Sequence, residues 1–123
     1  MICGANGYTG ELIAREVARG VEESRIVLAG FSQGGAVALA AGLCHPRRLA
    51  AIVGLSTYLP IADAVGRERA AANAAVPVFM AHGSFDPVVP LLLGEGSRDR
   101  LRGWGYTVDW NAYPMAHQVC PPE

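Results

Sequence analysis

The sequence predicts a single α/β domain with a mainly parallel sheet of about four or five strands and flanking helices. Two observations predict this class. Short apolar runs alternate with segments of helical periodicity along the 123 residues. One run, in the stretch RIVLAGFSQGGAVALAAGL from Arg25, leads through a Gly-x-Ser-x-Gly turn into a segment without a helix breaker before Gly42. A strand, a tight turn and a helix in that order are typical of a parallel sheet.

The composition is that of a globular chain with a large core. Hydrophobic residues make up 51% of the sequence and charged residues 17%, with a net charge of −1. This balance argues against an intrinsically disordered chain. All ten basic residues are arginines, and they are scattered without forming a basic face. Nucleic acid is therefore not expected as a partner.

Three cysteines, Cys3, Cys44 and Cys120, are an odd number at wide spacing. That pattern fits neither a disulfide framework nor a zinc site, and it favours reduced thiols in a cytoplasmic protein. The N-terminus has no charged-then-apolar signal segment, and no apolar run reaches about 18 residues. We therefore expect a cytoplasmic chain without a membrane span.

The first twenty residues predict a short strand, a glycine-rich loop and a helix. Residues 1–3 are apolar enough for a very short strand, and GANGYTG follows from Gly4. Residues 11–19 place apolar side chains on helical spacing, with charged side chains opposite. Thr9 is expected to cap this helix, with Gly10 as the alternative cap, and Gly20 is expected to end it.

The Gly-x-Ser-x-Gly turn follows a predicted strand over residues 26–29. Side chains at Gly30 and Gly34 are expected to clash with neighbouring backbone, so that glycine is needed at both positions. Ser32 would then stand at the tip of the turn, in a strained conformation, with its hydroxyl exposed above the sheet. The plainer interpretation is a glycine-rich turn whose serine caps the following helix.

The rest of the chain continues the alternation. Apolar runs predict strands over residues 49–55, 76–82 and 106–112, and helical patterns lie over 63–74 and 91–102. The continuous apolar character of the first of these strands is typical of a parallel strand buried on both faces. The last strand alternates instead, which places it near a sheet edge.

Three polar residues each follow the end of a different predicted strand: Ser32, Asp86 and His117. The carboxyl ends of parallel strands form the ligand-binding edge of such a sheet, so these side chains are expected to meet. A serine hydroxyl needs a base to become nucleophilic at neutral pH, and the base needs an orienting partner. His117 can take the proton and give it to the leaving group, while Asp86 fixes the imidazole tautomer. The predicted chemistry is acyl transfer.

Other residues of the same types have simpler interpretations. His82 lies at a strand end, where a packed structural histidine is expected, and His45 precedes a proline at a helix end. Asp63 competes with Asp86, but it more simply caps the helix that follows Pro60. No group of His, Cys and acidic residues has the spacing of a metal site, so the sequence predicts no metal and no cofactor.

Four segments carry a family resemblance: GFSQGGAVAL from Gly30, LSTYLP from Leu55, HGSFDPVVP from His82 and YPMAHQV from Tyr113. They resemble the bacterial carboxylesterases of the acyl-protein thioesterase (phospholipase/carboxylesterase) family, which are α/β-hydrolases. The segments occur in the family's order and spacing over about residues 11–123. The resemblance implies a minimal α/β-hydrolase-like domain.

The resemblance implies Ser32 as nucleophile, Asp86 as acid member and His117 as base, in the chain order of α/β-hydrolases. It also implies that the backbone N–H of Gln33 is one donor of the oxyanion hole. The implied function is a serine carboxylesterase that hydrolyses short- to medium-chain carboxylic esters through an acyl-enzyme, with thioesters as a further substrate class. The implied partner is a small-molecule ester.

The sequence departs from the family at both ends. Members are longer, with an upstream His-Gly-Leu-Gly-like loop that supplies the second oxyanion donor and with a closing helix. Residues 1–123 are therefore interpreted as one truncated domain with an atypical glycine-rich N-terminus over residues 1–10. We expect a backbone N–H of Ala5 or Asn6 to replace the missing donor. Truncation would also leave sheet edges bare, which predicts a homo-oligomer, most simply a twofold dimer.

Two alternatives belong to other functional classes. GANGYTG from Gly4 is similar to the glycine-rich opening of saccharopine-dehydrogenase-like dinucleotide-binding proteins, where it seats a pyrophosphate on a helix N-terminus. That fingerprint needs a longer preceding strand and an acidic residue at the end of the next strand. In this sequence the next strand ends at Gly30-Phe31-Ser32, without an acidic residue. The other alternative is an inert α/β-hydrolase fragment that acts as a binding or structural module.

Overall fold

The computed structural model describes residues 3–117 and contains a four-stranded sheet. Its elements are α1 (Cys3–Ala18), β1 (Val27–Phe31), α2 (Gln33–Cys44), β2 (Ala51–Leu55), α3 (Ala62–Glu68), β3 (Val78–Gly83), α4 (Leu91–Gly103) and β4 (Val108–Tyr113). The strands lie in the order β1-β2-β3-β4, and every neighbouring pair is parallel. The predicted α/β fold class is confirmed, and β4 lies at an edge as predicted.

The helices that connect the strands lie on one face of the sheet. Because each new strand is added on the same side of the previous one, right-handed crossovers place all three connecting helices on the same face. α2 packs on β1 and β2, and α4 packs on β3 and β4. The core between helices and sheet consists of fully buried apolar side chains: Leu39, Leu43, Leu49, Ile52, Val65, Val76, Val78, Met80 and Leu101. Each contributes about 1.5–3 kcal/mol relative to exposure.

The opposite face of the sheet is only partly covered by the described residues. Val27 is 50% exposed and Phe31 is 38% exposed; Ala51, Val53 and Leu55 are half-buried. Within residues 3–117, the expectation that the 49–55 strand is buried on both faces is wrong, because α2, α3 and α4 all lie on the other side and Ala51, Val53 and Leu55 stay half-buried. Within residues 3–117, β1 pairs with β2 alone. The predicted homo-oligomer stays a prediction.

The N-terminal segment differs from the prediction. α1 already begins at Cys3, so residues 4–10 are helical rather than a loop, and a strand that includes Cys3 is wrong; residues 1 and 2 lie outside the described part. The helix continues toward its N-terminus because Thr9 and Ile13, one turn apart, are both buried, and α1 packs on α2. Gly20, at φ 99°, follows the helix end, as predicted.

The predicted helix over residues 63–74 is broken in two. α3 ends at Glu68, and a short 3₁₀ turn (Ala71–Asn73) follows. The buried Asn73 side chain accepts a hydrogen bond from Leu49 N–H (2.8 Å) and donates to the carbonyls of His45 (2.9 Å) and Arg47 (2.7 Å). These bonds satisfy the buried backbone between α2 and β2, which a continued helix would not do.

The start of α3 also differs from the prediction. Asp63 does not cap the helix: the cap position is Ile61, without a side-chain cap, and the Asp63 carboxylate pairs with Arg100 on α4. No helix in residues 3–117 is long and apolar enough to cross a membrane.

Candidate active site

The first part of the site is the elbow, residues 30–34, where β1 turns into α2. Ser32 stands at its tip with φ 55° and ψ −121°, a conformation that non-glycine residues rarely adopt. A Cβ at Gly30 would lie 2.2 Å from the Gly34 carbonyl oxygen, so the predicted need for glycine at Gly30 is confirmed. The same prediction is wrong for Gly34, where an added Cβ would meet nothing within 4 Å, and the crowded helical position is instead Gly35.

The second part is the acid turn, residues 84–90, between β3 and α4. The Asp86 side chain is 0% exposed. The backbone N–H groups of Val88 and Val89 both donate to its Oδ1 at 2.8 Å. Because an aspartate that binds backbone N–H groups two and three residues ahead closes a tight turn, the Asp86-Pro87 sequence folds this way locally. The second carboxylate oxygen, Oδ2, is left to face the rest of the site.

His117 reaches the site from the segment that follows β4. That segment crosses the acid turn closely: Phe85 N–H donates to the Met115 carbonyl at 3.1 Å, and a Cβ at Gly83 would lie 2.3 Å from the same oxygen. Glycine at position 83 therefore allows the two segments to approach. The Phe31 ring, at the end of β1, lies 4.7 Å from the His117 ring between centroids.

The structure brings the three predicted side chains together. His117 Nδ1 lies 2.6 Å from Asp86 Oδ2, and His117 Nε2 lies 2.9 Å from Ser32 Oγ. Because an ionised carboxylate can only accept, Nδ1–H donates to Asp86, which leaves Nε2 to accept from the serine hydroxyl. This arrangement can remove a proton from Ser32 and stabilise the imidazolium that forms.

The charge of Asp86 suits this arrangement. Burial by itself raises the pKa of the Asp86 carboxyl. The hydrogen bonds from His117, Val89 and Val88, together with the charge of His117, outweigh burial and hold that pKa below its ordinary value. Asp86 is therefore ionised at neutral pH and can orient the imidazole.

The competing histidines occupy other positions. His82 is fully buried; its Nε2–H donates to the Val89 carbonyl at 2.7 Å and lies 3.7 Å from Asp86 Oδ2. It therefore packs behind the acid turn, as expected of a structural histidine. His45 pairs with Glu23 at 2.7 Å. Within residues 3–117, no group of three His, Cys or acidic side chains could hold a metal ion.

The residues predicted to supply the oxyanion donors lie in two different helices, α2 and α1. Gln33 is the first residue of α2, so its backbone N–H has no partner within the helix and adjoins the nucleophile. Ala5 and Asn6 lie in the first turns of α1, and their role as donors stays a prediction. Because Gly4, Gly7 and Gly10 are helical, the strand–loop–helix context of a dinucleotide fingerprint is not formed by residues 3–10.

One residue of the site was missed by the sequence analysis. Thr57, two residues after the end of β2, donates its hydroxyl to the Ser32 carbonyl oxygen at 2.6 Å. The signal was present, because Thr57 follows the carboxyl end of the strand that pairs with β1. Polar residues at that edge of the sheet are candidates for the site.

The profile of a family described as Phospholipase/Carboxylesterase matches residues 2–123. Among curated relatives, an acyl-protein thioesterase 1 from Gibberella zeae is 45% identical over 121 residues, which cover 94% of this chain and 51% of the relative. The chain spans about half the length of the curated relatives it matches.

Solved structures share the fold over nearly the whole chain. Arabidopsis thaliana SOBER1 has a TM-score of 0.91 at 27% identity and covers 97% of this chain, which covers 57% of SOBER1. Zea mays acyl-protein thioesterase 2 has a TM-score of 0.84 at 26% identity, with 99% of this chain and 61% of that protein covered. These three relatives are eukaryotic, and the predicted placement in the bacterial branch stays a prediction.

Proposed function

The chain belongs to the phospholipase/carboxylesterase family, and we propose that it is a serine hydrolase of carboxylic esters. The observation that carries the proposal is the continuous hydrogen-bonded path from Ser32 through His117 to Asp86, with distances of 2.9 and 2.6 Å. A hydroxyl, an imidazole and a buried carboxylate in this order are the parts that acyl transfer through a covalent intermediate requires.

The reaction has two half-reactions. Ser32 Oγ attacks the ester carbonyl carbon while its proton passes to His117 Nε2; the bond to the leaving group then breaks, and His117 gives the proton to the departing alcohol. A water molecule next attacks the acyl-enzyme, its proton passes to Nε2, and the carboxylic acid departs as Ser32 regains a proton. Asp86 accepts the Nδ1–H bond throughout and balances the imidazolium charge.

The oxyanion of each tetrahedral intermediate is stabilised at the start of α2. The Gln33 N–H is one donor, and the positive end of the α2 dipole adds to it. A backbone N–H of Ala5 or Asn6 is the candidate for the second donor. Its presence matters, because loss of one oxyanion donor costs about 10²–10³ in kcat.

Exposed apolar side chains on and after the acid turn favour a substrate with an apolar acyl group. Phe85 and Val88 flank Asp86 and are 71% and 64% exposed, and Leu92, at the start of α4, is 79% exposed. Leu92 and Leu93 also line a cavity of about 190 Å³ next to α3. Exposed apolar side chains that follow one another along the segment from the acid turn into α4 favour a binding surface for apolar groups. These residues support short- to medium-chain acyl esters, and thioesters of the same acids, as the substrate class.

Ester hydrolysis by wild type, Ser32→Ala and Ser24→Ala tests the proposal. The substrates are p-nitrophenyl esters from acetate to decanoate and one acyl thioester. We expect Ser32→Ala to lower hydrolysis to background, because no other group replaces the nucleophile. Ser24→Ala, which removes an exposed hydroxyl before β1, is the matched control and should match wild type.

Two outcomes contradict the proposal. Hydrolysis that survives Ser32→Ala would place the activity elsewhere. A wild-type chain that neither hydrolyses any of the esters nor becomes labelled by a fluorophosphonate would favour the inert binding module. Labelling of wild type and Ser24→Ala, but not of Ser32→Ala, is the result that we expect.

A further inference from the structure

The carbonyl oxygen of Ser32 accepts hydrogen bonds from two donors, one inside α2 and one outside it. Its oxygen accepts from Ala36 N–H at 3.1 Å, the first hydrogen bond of α2, and from the Thr57 hydroxyl at 2.6 Å. Thr57 is 0% exposed. Among residues 3–117, it provides the one side-chain hydrogen bond to the Ser32 backbone given by the structure. The nucleophile is therefore tied through its main chain to the end of β2.

The Ser32 carbonyl and the Gln33 N–H belong to the same peptide unit. Because that unit is planar and trans, the carbonyl oxygen and the amide hydrogen point in opposite directions, and neither can turn without the other. A group that fixes the direction of the Ser32 oxygen therefore fixes the direction of the Gln33 N–H. Thr57 lies on the oxygen side of this unit, and the oxyanion would lie on the hydrogen side.

Thr57 is itself held rigidly enough to act in this way. A Cβ at Gly35 would lie 2.8 Å from both Thr57 Cβ and Cγ2, and a Cβ at Gly54 would lie 2.9 Å from Cγ2. The side chain therefore fills the space that these two glycines leave. Since a β-branched side chain has few χ1 rotamers, this packing fixes the direction of the hydroxyl.

The elbow needs such a restraint because its backbone is strained. Ser32 has φ 55° and ψ −121°, a conformation that persists only where its surroundings hold it. The Ala36 bond holds the carbonyl along the helix axis, and the Thr57 bond occupies the second lone pair of the same oxygen. Two donors from different directions restrict rotation of the peptide unit more than one donor does.

We propose that Thr57 is a positioning residue that aims the Gln33 N–H at the oxyanion by holding the other end of the same peptide unit. The inference deepens the proposed ester hydrolysis and rests on it. Its consequence is kinetic: loss of the Thr57 hydroxyl weakens stabilisation of the transition state but leaves binding of the ground-state ester nearly unchanged.

Thr57→Val and Thr57→Ser form the test pair, with Thr107→Val as the control at an exposed position just before β4. Thr57→Val keeps the shape and removes the donor, whereas Thr57→Ser keeps the donor and removes the methyl group. For p-nitrophenyl butyrate we expect Thr57→Val to lower kcat about 10-fold, less than full removal of an oxyanion donor, with KM within about twofold. Thr57→Ser should recover most of kcat, and Thr107→Val should match wild type.

A structural measurement makes the test independent of turnover. In a crystal structure of Thr57→Val, we expect the Ser32–Gln33 peptide unit to be rotated from its wild-type direction. Thr57→Ala, which adds no methyl group against the carbonyl, serves the same purpose if Thr57→Val does not fold. An unrotated peptide unit overturns the inference, even if wild type hydrolyses no ester.

The kinetic outcomes separate the inference from the proposed function. If wild type hydrolyses esters in a Ser32-dependent way but Thr57→Val has an unchanged kcat, the function stands and the inference fails. Equal losses in Thr57→Val and Thr57→Ser would assign the effect to packing and also overturn it. Absence of Ser32-dependent hydrolysis in wild type rejects the proposed function, and the crystal structure then decides the inference.

Discussion

The elbow between β1 and α2 and the acid turn between β3 and α4 present polar side chains to the same edge of the sheet, but they hold them by different means. In the elbow, Ser32 lies in a strained conformation, and Gly30 leaves the space that the turn needs. In the acid turn, the buried Asp86 carboxylate accepts two backbone N–H groups and one imidazole N–H.

The difference follows from what each residue has to do. A nucleophile must be accessible and uncharged, so few groups are available to bind its hydroxyl, and the backbone carries the restraint. A carboxylate that orients a histidine must stay charged while buried, and a buried charge needs hydrogen bonds on every side. The elbow is therefore sensitive to added volume, and the acid turn to lost charge.

The largest effect is expected from Gly30→Ala, which adds volume to the elbow. Its Cβ would lie within 2.5 Å of three backbone atoms, none of which can rotate away. We expect a loss of stability of about 3 kcal/mol or more and loss of hydrolysis, measured by urea unfolding and by the ester assay.

Gly34→Ala is the matched control, because its Cβ would meet nothing within 4 Å. We expect it to fold as well as wild type and to keep its activity, since alanine is favoured over glycine inside a helix. Equal damage from the two substitutions would show that the elbow does not depend on the space at Gly30.

The next largest effect is expected from Asp86→Asn, which removes charge from the acid turn and leaves its shape. The asparagine oxygen can still accept from Val88 and Val89, but its amide then faces His117 Nδ1 as a donor. The imidazole would carry its proton on Nε2 and could not accept from Ser32. We expect kcat to fall about 10³–10⁴-fold with an unchanged circular dichroism spectrum.

Asp99→Asn, which removes a charge from a side chain that is 67% exposed, is the control for Asp86→Asn and should keep wild-type activity. A fall in kcat of less than 10-fold for Asp86→Asn would argue against a role for the carboxylate in orienting His117.

The smallest effect is expected on the free energy of unfolding when the pH is lowered. Because the pKa of Asp86 is held below its ordinary value, the unfolded chain takes up this proton at a higher pH than the folded chain does. The stabilisation by the Asp86 charge is therefore complete above about pH 5, roughly one unit above the ordinary pKa of an aspartate, and is lost as pH falls through the lowered pKa.

The measurement is the free energy of unfolding of wild type and Asp86→Asn between pH 7 and pH 3. The difference between the two proteins should be constant above about pH 5 and should shrink below about pH 4. A difference that grows on acidification would contradict the lowered pKa. The same comparison of wild type with Gly34→Ala, which alters only the uncharged elbow, should show no such change.

Much of the site could be predicted because its residues follow the strands that carry them. Ser32, Asp86 and His117 each come after an apolar run, and strands in a parallel sheet end at one edge. The position of Thr57 after β2 could be read in the same way, but its role could not, because nothing in the sequence shows that its hydroxyl binds the Ser32 carbonyl. The motif alone predicted that a side chain at Gly34 would clash with its neighbours. The structure shows that crowding in the elbow depends on how α2 packs against the segments around it.

The fold shows the same division. Local patterns sufficed for the four strands of the sheet and for α4, since apolar runs and helical periodicity are properties of a single segment. They were insufficient for α1, whose helix reaches Cys3 because its buried side packs on α2, and for α3, which ends early as Asn73 bonds to a distant loop.

The sequence by itself determined the class of the sheet and the identity of three polar residues that follow successive strands. Each of these depends on neighbours along the chain. Only the tertiary structure decided which face of the sheet is covered, which glycine of the elbow is indispensable, and that the Thr57 hydroxyl, from the segment after β2, binds the backbone of the nucleophile. These features depend on distances between segments far apart in the chain, and packing alone brings such segments together.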